Sequence, residues 1–361
     1  MQIIQDRMAL HQIPELDKSL PRTLAYLQNS LKPLSCRIFS PAEGSLCAFF
    51  DFGRSSAIAF RADADALPIQ EKTGLPFASR HEGRMHACGH DGHMAILLEL
   101  ARRLDKKESL PHNVLLVFQA AEETTGGAKD ICDSGVFKEY AVEAIFGLHL
   151  WPGLPKGTIA SREQELMSRS CEVHVDIYGR SAHIAKAREG IDALAAGAEF
   201  YTRVRELEAA LPADIFRLLN FGLFQSGTAG NAISAHTYMK GSLRAFQDEV
   251  FEHLRDGVRR IGAEVAAKTG CTLDIRMGEG YPAVMNPPAL YQRVRALVEF
   301  AQLPEPSMTT EDFSWYQRSL PGVFFLLGVG DTPPLHADTF DFDMDVLKTG
   351  ADFFENLAEK F

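Results

Sequence analysis

Short apolar runs alternate with helix-spaced apolar positions in the first half of the chain. Four runs are rich in β-branched and aromatic side chains, as expected for buried strands: residues 47–52, 56–61, 113–119 and 144–150. The first two flank a tight turn predicted at Gly53 and Arg54. Residues 94–104 repeat apolar side chains at helical spacing and end in Arg102 and Arg103, which suits a helix C-terminus. This alternation predicts a mostly parallel sheet flanked by helices.

A different pattern occupies the middle of the chain. Apolar and polar residues alternate at 171–178, which predicts a strand. A helix at 191–211, strands at 218–224 and 233–244, a second helix at 249–268 and a last strand at 272–277 are predicted to follow. The order βαββαβ describes a small sheet covered on one face. A further helix and a buried strand at 323–329 come later. We therefore predict a discontinuous α/β domain, residues 1–166 and 277–361, interrupted by an α+β domain, residues 167–276.

The composition fits two globular domains. The 361 residues exceed the roughly 250–300 that one core usually supports. The net charge of −11 disfavours binding to nucleic acid or to an anionic membrane. No apolar run approaches the ~20 residues that span a bilayer, and the N-terminus has no signal-peptide pattern. Six cysteines without a CxxC pair favour a reducing, cytoplasmic location.

The densest group of chemically active side chains is the segment from His86 to His93, HACGHDGH. Three His, one Cys and one Asp offer both soft and hard metal ligands, and Gly89 and Gly92 let the backbone turn tightly between them. Two other interpretations remain: a solvated His-rich loop, and Cys88 as a nucleophile with a neighbouring His as its base. The density of His and Asp around Cys88 favours a metal-bound thiolate.

Further metal-competent side chains follow the predicted strands. Glu122 and Glu123 come just after the third strand, His149 ends the fourth, and His336 follows the last one. Asp63 leaves another strand and is suited to orient ligand imidazoles. Each alone is most often structural. Together they point to one site, because the carboxyl ends of parallel strands share one edge of the sheet, where ligands bind.

No motif supports a competing chemistry. The chain has no HExxH or paired CxxC zinc pattern, no GxGxxG or GxxxxGK[ST] nucleotide loop, and no GxSxG nucleophile elbow. In the inserted domain, His183, Asn231 and Arg244 end strands or lie in loops. Spacing alone favours a turn histidine, a turn asparagine and a surface arginine for these three.

Taken in order, these residues resemble the dinuclear-metal aminoacylase/carboxypeptidase superfamily. The most similar branch is the amidohydrolases typified by hippurate hydrolase, plant auxin-conjugate hydrolases and bacterial N-acetyldiaminopimelate deacetylase. The matching segments are Leu10–Glu15, Arg61–Pro68, His86–His93, Phe118–Glu123, Gly147–Pro152, Gly179–His183, Asn231–Ser234, Gly241–Arg244, Glu311–Ser314 and Leu335–His336. They span essentially the whole chain, and HACGHDGH with a later Ala-Glu-Glu is highly specific to this branch.

The resemblance implies a dinuclear metal centre. Two divalent ions, Mn²⁺ or Zn²⁺ in preference to Co²⁺ or Ni²⁺, would be held by Cys88, His90, Glu123, His149 and His336. Glu122 would be the general base, which takes a proton from a water activated by the metals and returns it to the departing amine. Asp63 and Asp91 would orient the ligands.

The resemblance also implies roles in the inserted domain. His183 would steady the tetrahedral oxyanion, from the same or a partner subunit, while Asn231 and Arg244 would bind substrate, Arg244 through the free carboxylate of an N-acyl amino acid. The domain would act as a lid that mediates dimerisation. Three departures from the family pattern stand out. Ala120 replaces a proline, the segment after His183 lacks a Pro and a second His, and the usual acidic residue before Thr23 is missing.

We therefore predict a cytoplasmic, dinuclear-metal amidohydrolase that cleaves the amide of N-acyl amino acids, chiefly N-acetyl ones, and assembles as a homodimer or higher oligomer. A dipeptidase or aminopeptidase acting at the same site is the alternative reaction. A metal-bound dimeric scaffold is the non-enzymatic alternative. An intact Glu122 beside all five ligands favours catalysis.

Overall fold

A computed structural model describes residues 1–361, and its internal contacts divide the chain into two compact units. The first unit comprises Met1–Leu166, Val284–Pro306 and Asp312–Phe361, and the second comprises Met167–Ala283 and Ser307–Glu311. The second unit thus takes in residues 277–283 and 307–311 in addition to the predicted insertion of 167–276.

Ten α-helices and fourteen strands make up the two units. The helices are α1 Gln2–His11, α2 Pro21–Leu31, α3 His90–Leu104, α4 Gly127–Asp133, α5 Val136–Glu139, α6 Ala193–Ala209, α7 Asp248–Thr269, α8 Pro288–Leu297, α9 Ser314–Ser319 and α10 Val346–Lys360, with a 3₁₀ turn at Ile184–Glu189. The strands are β1 Arg37–Phe39, β2 Leu46–Phe50, β3 Ala57–Asp63, β4 Asn113–Gln119, β5 Val142–Pro152, β6 Ile159–Ser161, β7 Gln164–Met167, β8 Arg169–Tyr178, β9 Arg217–Ser226, β10 His236–Ala245, β11 Thr272–Met277, β12 Val284–Asn286, β13 Ala301–Gln302 and β14 Gly322–Gly330. No helix is both long and apolar enough to cross a membrane.

The first unit is built on an eight-stranded sheet with the order β1-β2-β4-β3-β5-β14-β6-β13. Its four middle strands, β4, β3, β5 and β14, run parallel to one another. They are mostly apolar and their central residues are buried on both faces, and helices α3 and α10 pack against them. This mostly parallel, helix-flanked sheet confirms the predicted fold class of the unit.

The two strands beside the predicted turn at Gly53 do not pair with each other. Instead β2 pairs antiparallel with β4, and β3 pairs parallel with β4, so that β4 lies between them. Because β3, β4, β5 and β14 are parallel, their carboxyl ends share one edge of the sheet, as expected for the site.

The second unit has the predicted order β8-α6-β9-β10-α7-β11. Its four strands form an antiparallel sheet in the order β11-β8-β10-β9, and both helices pack on the sheet. Alternate residues of β8, Val173, Val175 and Ile177, are buried in this core, whereas the residues between them are mostly less buried. The βαββαβ insertion is therefore confirmed.

Candidate metal centre

The HACGHDGH segment bends directly into helix α3. The helix begins at His90, four residues before the periodicity predicted, because Gly89 adopts a left-handed conformation with φ +83° that breaks the backbone just before it. A Cβ at Gly92 would lie 2.7 Å from Leu150 and 2.9 Å from Phe342. Both glycines are thus required by geometry, and they bring the first turn of α3 against β5.

The Glu122-Glu123 pair lies on a tight loop after β4. Ala121 has φ +58°, a left-handed conformation that costs an alanine roughly 1–2 kcal/mol. The Asp65 carboxylate offsets this strain by accepting hydrogen bonds from the backbone N–H groups of Glu122 at 3.0 Å and Glu123 at 3.1 Å. Backbone hydrogen bonds to Asp65 therefore hold both glutamates in place on this loop.

Hydrogen bonds to backbone carbonyls set the protonation of two candidate ligands. His90 Nδ1 donates to the Asp65 carbonyl at 2.8 Å, and His149 Nδ1 donates to the Leu150 carbonyl at 2.7 Å. In each neutral ring the lone pair is therefore on Nε2. His149 Nε2 lies 3.5 Å from the Cys88 sulfur, and His90 Nε2 accepts no hydrogen bond although it is buried. Both imidazoles are prepared to bind a metal ion.

The structure brings all five predicted ligands together in the first unit. Within each of three groups, the ligand atoms lie within 4.8 Å of one another: Cys88, Glu123 and His336; His90, Glu122 and Glu123; and Asp63, His90, His93 and His149. Such spacing suits atoms that are each about 2.0–2.3 Å from a shared ion. Glu123 belongs to two groups, and its buried Oε1 makes no well-formed hydrogen bond, although it is in ion-pair range of His336. These atoms and the mixed N, O and S donors fit two divalent metal ions.

His336 completes the first of these groups from the loop after β14. Its φ of +67° is left-handed, and its backbone N–H donates to the Ala87 carbonyl at 2.8 Å, which ties the loop to the HACGHDGH segment. Its Nε2 lies 3.2 Å from Glu123 Oε1, and its side chain is 52% exposed. His336 is therefore the most accessible of the five candidate ligands.

The buried carboxylates of the site favour positive charge beside them. Burial opposes the charging of His90, yet in the absence of a metal ion the carboxylates of Asp63, Asp65 and Glu123 raise its pKa to about 10. A metal ion that binds Nε2 must therefore displace a ring proton. Burial, reinforced by the carboxylates of Glu123 and Glu122, raises the pKa of the Cys88 thiol well above its usual value. A raised pKa is the opposite of what a cysteine nucleophile needs, whereas a bound metal ion deprotonates a thiol directly. The electrostatics favour a metal-bound thiolate.

Asp91 supports the helix that carries His90. Its carboxylate accepts hydrogen bonds from Arg7 Nε at 3.1 Å and from His11 Nδ1 at 2.8 Å, both on α1. All three side chains are buried. Burial lowers and the Asp91 carboxylate raises the pKa of His11, which reaches about 9. Asp91 thus fixes α1 to the first turn of α3.

The predicted substrate residues belong to the second unit. His183 is exposed and caps the 3₁₀ turn, with its Nδ1 accepting the Ala185 N–H at 3.1 Å. Asn231 is brought beside it, because its carbonyl accepts the Ile184 N–H at 2.9 Å. Arg244 donates to Ser242 Oγ at 3.3 Å and to the Met308 carbonyl. Their roles toward a substrate stay predictions.

Several residues that organise the centre were not assigned from the sequence. Asp65 lies within the matched RADADALP segment. The signal that could have identified it is its position two residues after Asp63, directly beyond the end of β3. Buried Arg61 contacts Asp63, Gln119 and Asp312 through three different nitrogens at 2.8–2.9 Å. Asp312 is 251 positions from Arg61, and no local pattern predicts a contact over that separation.

Comparisons with known proteins found a matching family model and similar relatives. The sequence model of peptidase family M20/M25/M40 matches residues 59–360. An uncharacterised hydrolase of Staphylococcus aureus is 32% identical to this chain over 374 aligned positions, covering 99% of this chain and 98% of the relative.

Two solved structures share the whole fold. The structure of the YXEP protein of Bacillus subtilis, a dinuclear metal-binding peptidase of the M20 family, has 31% identity and a TM-score of 0.85, covering 99% of this chain and 96% of that one. A protein from methicillin-resistant Staphylococcus aureus has 27% identity and a TM-score of 0.91, covering 98% and 95%.

Proposed function

The chain belongs to peptidase family M20/M25/M40, and from that membership we propose that it is a metal-dependent amidohydrolase that cleaves N-acyl amino acids, chiefly N-acetyl ones. The observation that carries the proposal is the position of Glu122. Its carboxylate lies in one group with the candidate ligands His90 and Glu123. A carboxylate held at the edge of a metal centre is placed for proton transfer to and from a hydrolytic water.

The ions that fit this centre, Mn²⁺ or Zn²⁺ in preference to Co²⁺ or Ni²⁺, would polarise the substrate carbonyl and make a water acidic enough to attack it at neutral pH. Glu122 takes the proton of the attacking water on a carboxylate oxygen and delivers it to the amide nitrogen that leaves as an amine. The hydrogen bond that the Glu122 backbone N–H donates to the Asp65 carboxylate holds this residue in place through both steps. Little reorganisation is then needed during turnover.

The preference for N-acyl amino acids rests on the family resemblance and on three residues of the second unit. We assign His183 to the oxyanion, and Asn231 and Arg244 to substrate binding. A guanidinium binds a free α-carboxylate through two parallel hydrogen bonds, which suits a product that is an amino acid. The six cysteines are all free thiols, which supports the assignment to the cytoplasm.

A panel of substrates tests the proposed reaction. Purified protein loaded with Mn²⁺ or Zn²⁺ is incubated with N-acetyl and longer N-acyl amino acids, and with dipeptides that carry a free amine. We expect released amine from the acylated compounds and a much lower kcat/KM for dipeptides. The opposite order would identify a dipeptidase or aminopeptidase, and no turnover of either class would favour the metal-bound scaffold.

We also propose that the second unit pairs with a second copy of the chain through β9. This strand is an edge of its sheet, and its sequence RLLNFGLFQS carries no charge after Arg217. Leu218 and Phe224 on the strand, and Leu194 on the adjoining α6, are large apolar side chains that are 39%, 41% and 50% exposed. An unprotected apolar edge strand is a template for pairing with another chain, and two copies can meet symmetrically.

Replacing Leu218 by Lys is expected to convert the dimer to a monomer of 39.9 kDa, because a charge on an edge strand prevents pairing. Sedimentation measures the mass. Thr272→Asp, on the exposed edge strand β11 at the other side of the sheet, is the matched control and should remain dimeric. A monomeric wild-type protein, or a dimeric Leu218→Lys variant, would contradict this interface.

A further inference from the structure

A third imidazole, His93, lies beside the candidate ligands His90 and His149 but has no lone pair to offer a metal. The Leu150 backbone N–H donates to His93 Nε2 at 2.9 Å, so this nitrogen carries no proton. The proton of the ring is therefore on Nδ1, which donates to Asp63 Oδ1 at 2.5 Å. Both nitrogens are engaged within the protein, so His93 is not a ligand although it lies in a metal-competent group.

The hydrogen bond from Leu150 connects His93 to a candidate ligand. The same Leu150 residue accepts, at its carbonyl, the hydrogen bond from His149 Nδ1. The Leu150 backbone is thus fixed by His93 at its N–H and in turn fixes the His149 ring through its C=O. The rings of His93 and His149 also meet edge to face, with centroids 4.4 Å apart. The orientation of His149 therefore depends on His93.

Asp63 is itself held in one orientation by Arg61. Arg61 Nη1 donates to Asp63 Oδ2 at 2.9 Å, while its other nitrogens donate to Gln119 Oε1 at 2.8 Å and Asp312 Oδ1 at 2.9 Å. All four side chains are fully buried. A guanidinium has donors only, so the atom of residue 63 that faces it must be an acceptor.

We propose that Arg61, Asp63 and His93 are positioning residues that hold His149 with its Nε2 lone pair toward the metal centre. Arg61 orients the Asp63 carboxylate, and Asp63 accepts the Nδ1 proton of His93. His93 then accepts the Leu150 N–H, and the Leu150 carbonyl accepts the hydrogen bond that orients His149. The inference rests on the metal centre of the proposed function, but it concerns metal binding and not the reaction. Supports of ligating imidazoles commonly contribute about 10–100-fold in metal affinity.

Replacing Asp63 by Asn tests the tautomer directly. Arg61 forces the amide oxygen toward itself, so the amide N–H must face His93 Nδ1, which then has to accept. The ring proton moves to Nε2 and opposes the Leu150 N–H. We expect Zn²⁺ affinity, measured on the full chain by competition with a chromophoric chelator, to fall about 10–100-fold. Nitrogen-15 NMR of labelled histidines should show the proton of His93 on Nε2 in place of Nδ1.

Two substitutions of His93 separate its role toward Leu150 from simple packing. Gln places its side-chain oxygen where Nε2 lies and can accept the Leu150 N–H, whereas the shorter Asn reaches only toward Asp63. We expect His93→Gln to retain most of the Zn²⁺ affinity and His93→Asn to lose about 10–100-fold. The pair also decides the question if Asp63→Asn fails to fold. The unfolding temperatures of the metal-free variants show whether either substitution merely destabilises the chain.

Equal losses of Zn²⁺ affinity in His93→Gln and His93→Asn would overturn the inference, because packing alone would then account for His93. Wild-type affinity in folded Asp63→Asn would overturn it as well. The affinities are measured without substrate, so the outcome is distinct from that of the reaction. A wild-type chain that binds Zn²⁺ but hydrolyses no N-acyl amino acid would overturn the proposed function alone.

Discussion

Glu122→Gln is expected to lower kcat for an N-acetyl amino acid by about 10²–10⁴-fold, the range that a positioned acid–base group contributes. Gln has nearly the same shape as Glu but cannot take a proton at neutral pH. The backbone hydrogen bond from residue 122 to Asp65 does not depend on the side chain, so the loop should keep its conformation. Steady-state kinetics with metal-loaded enzyme measure the loss.

The metal content of the variant must be measured together with its activity. Glu122 lies in one group with His90 and Glu123, so a loss of metal would mimic a loss of base. Atomic emission spectroscopy should find the wild-type amount of metal in Glu122→Gln. Glu122→Asp keeps a carboxylate but withdraws it by one methylene. Its kcat should lie between that of the wild-type enzyme and that of Glu122→Gln. A metal-loaded Glu122→Gln enzyme with wild-type kcat would refute the role of Glu122.

Removal of metal by a chelator is expected to abolish hydrolysis completely and to lower the unfolding temperature. Without cations, the carboxylates of Glu122 and Glu123 lie close together beside His90 in a largely buried site. A ligand present at 100 times its Kd stabilises the folded state by about 2.7 kcal/mol, and that contribution is lost with the metal. Adding back Mn²⁺ and Zn²⁺ separately should restore activity, and the more effective ion identifies the preferred metal.

A pair of Cys→Ser variants provides the control for the chelation experiment. Cys88→Ser replaces a soft ligand by a weak one and should lower the affinity for Zn²⁺ more than that for Mn²⁺. Cys36 is partly buried, lies outside every ligand group and donates only to the Leu31 carbonyl. Cys36→Ser should therefore keep both metal affinity and activity. Full activity of the protein after a chelator has removed its metal would contradict the metal-dependent mechanism.

Much of the fold was predictable because buried strands require recognisable runs of apolar residues. The runs at 113–119 and 272–277 coincide with β4 and β11, since apolar residues must fill both faces of a covered sheet or one face of an open one. The apolar periodicity places the start of helix α3 at Met94, four residues after its start at His90 in the structure. Its first turn is polar and rich in His and Asp because it carries the candidate site, so periodicity could not find it.

The sequence by itself determined the two-unit organisation, the α/β class and the residue types of the candidate centre. Those features follow from short-range periodicity and from a dense, ordered set of motifs. Only the tertiary structure decided which imidazoles have a lone pair to give, because tautomers depend on groups far apart in the chain. His93 and His90 look alike in HACGHDGH, yet the N–H of Leu150, 57 positions away, makes one a support and leaves the other a candidate ligand.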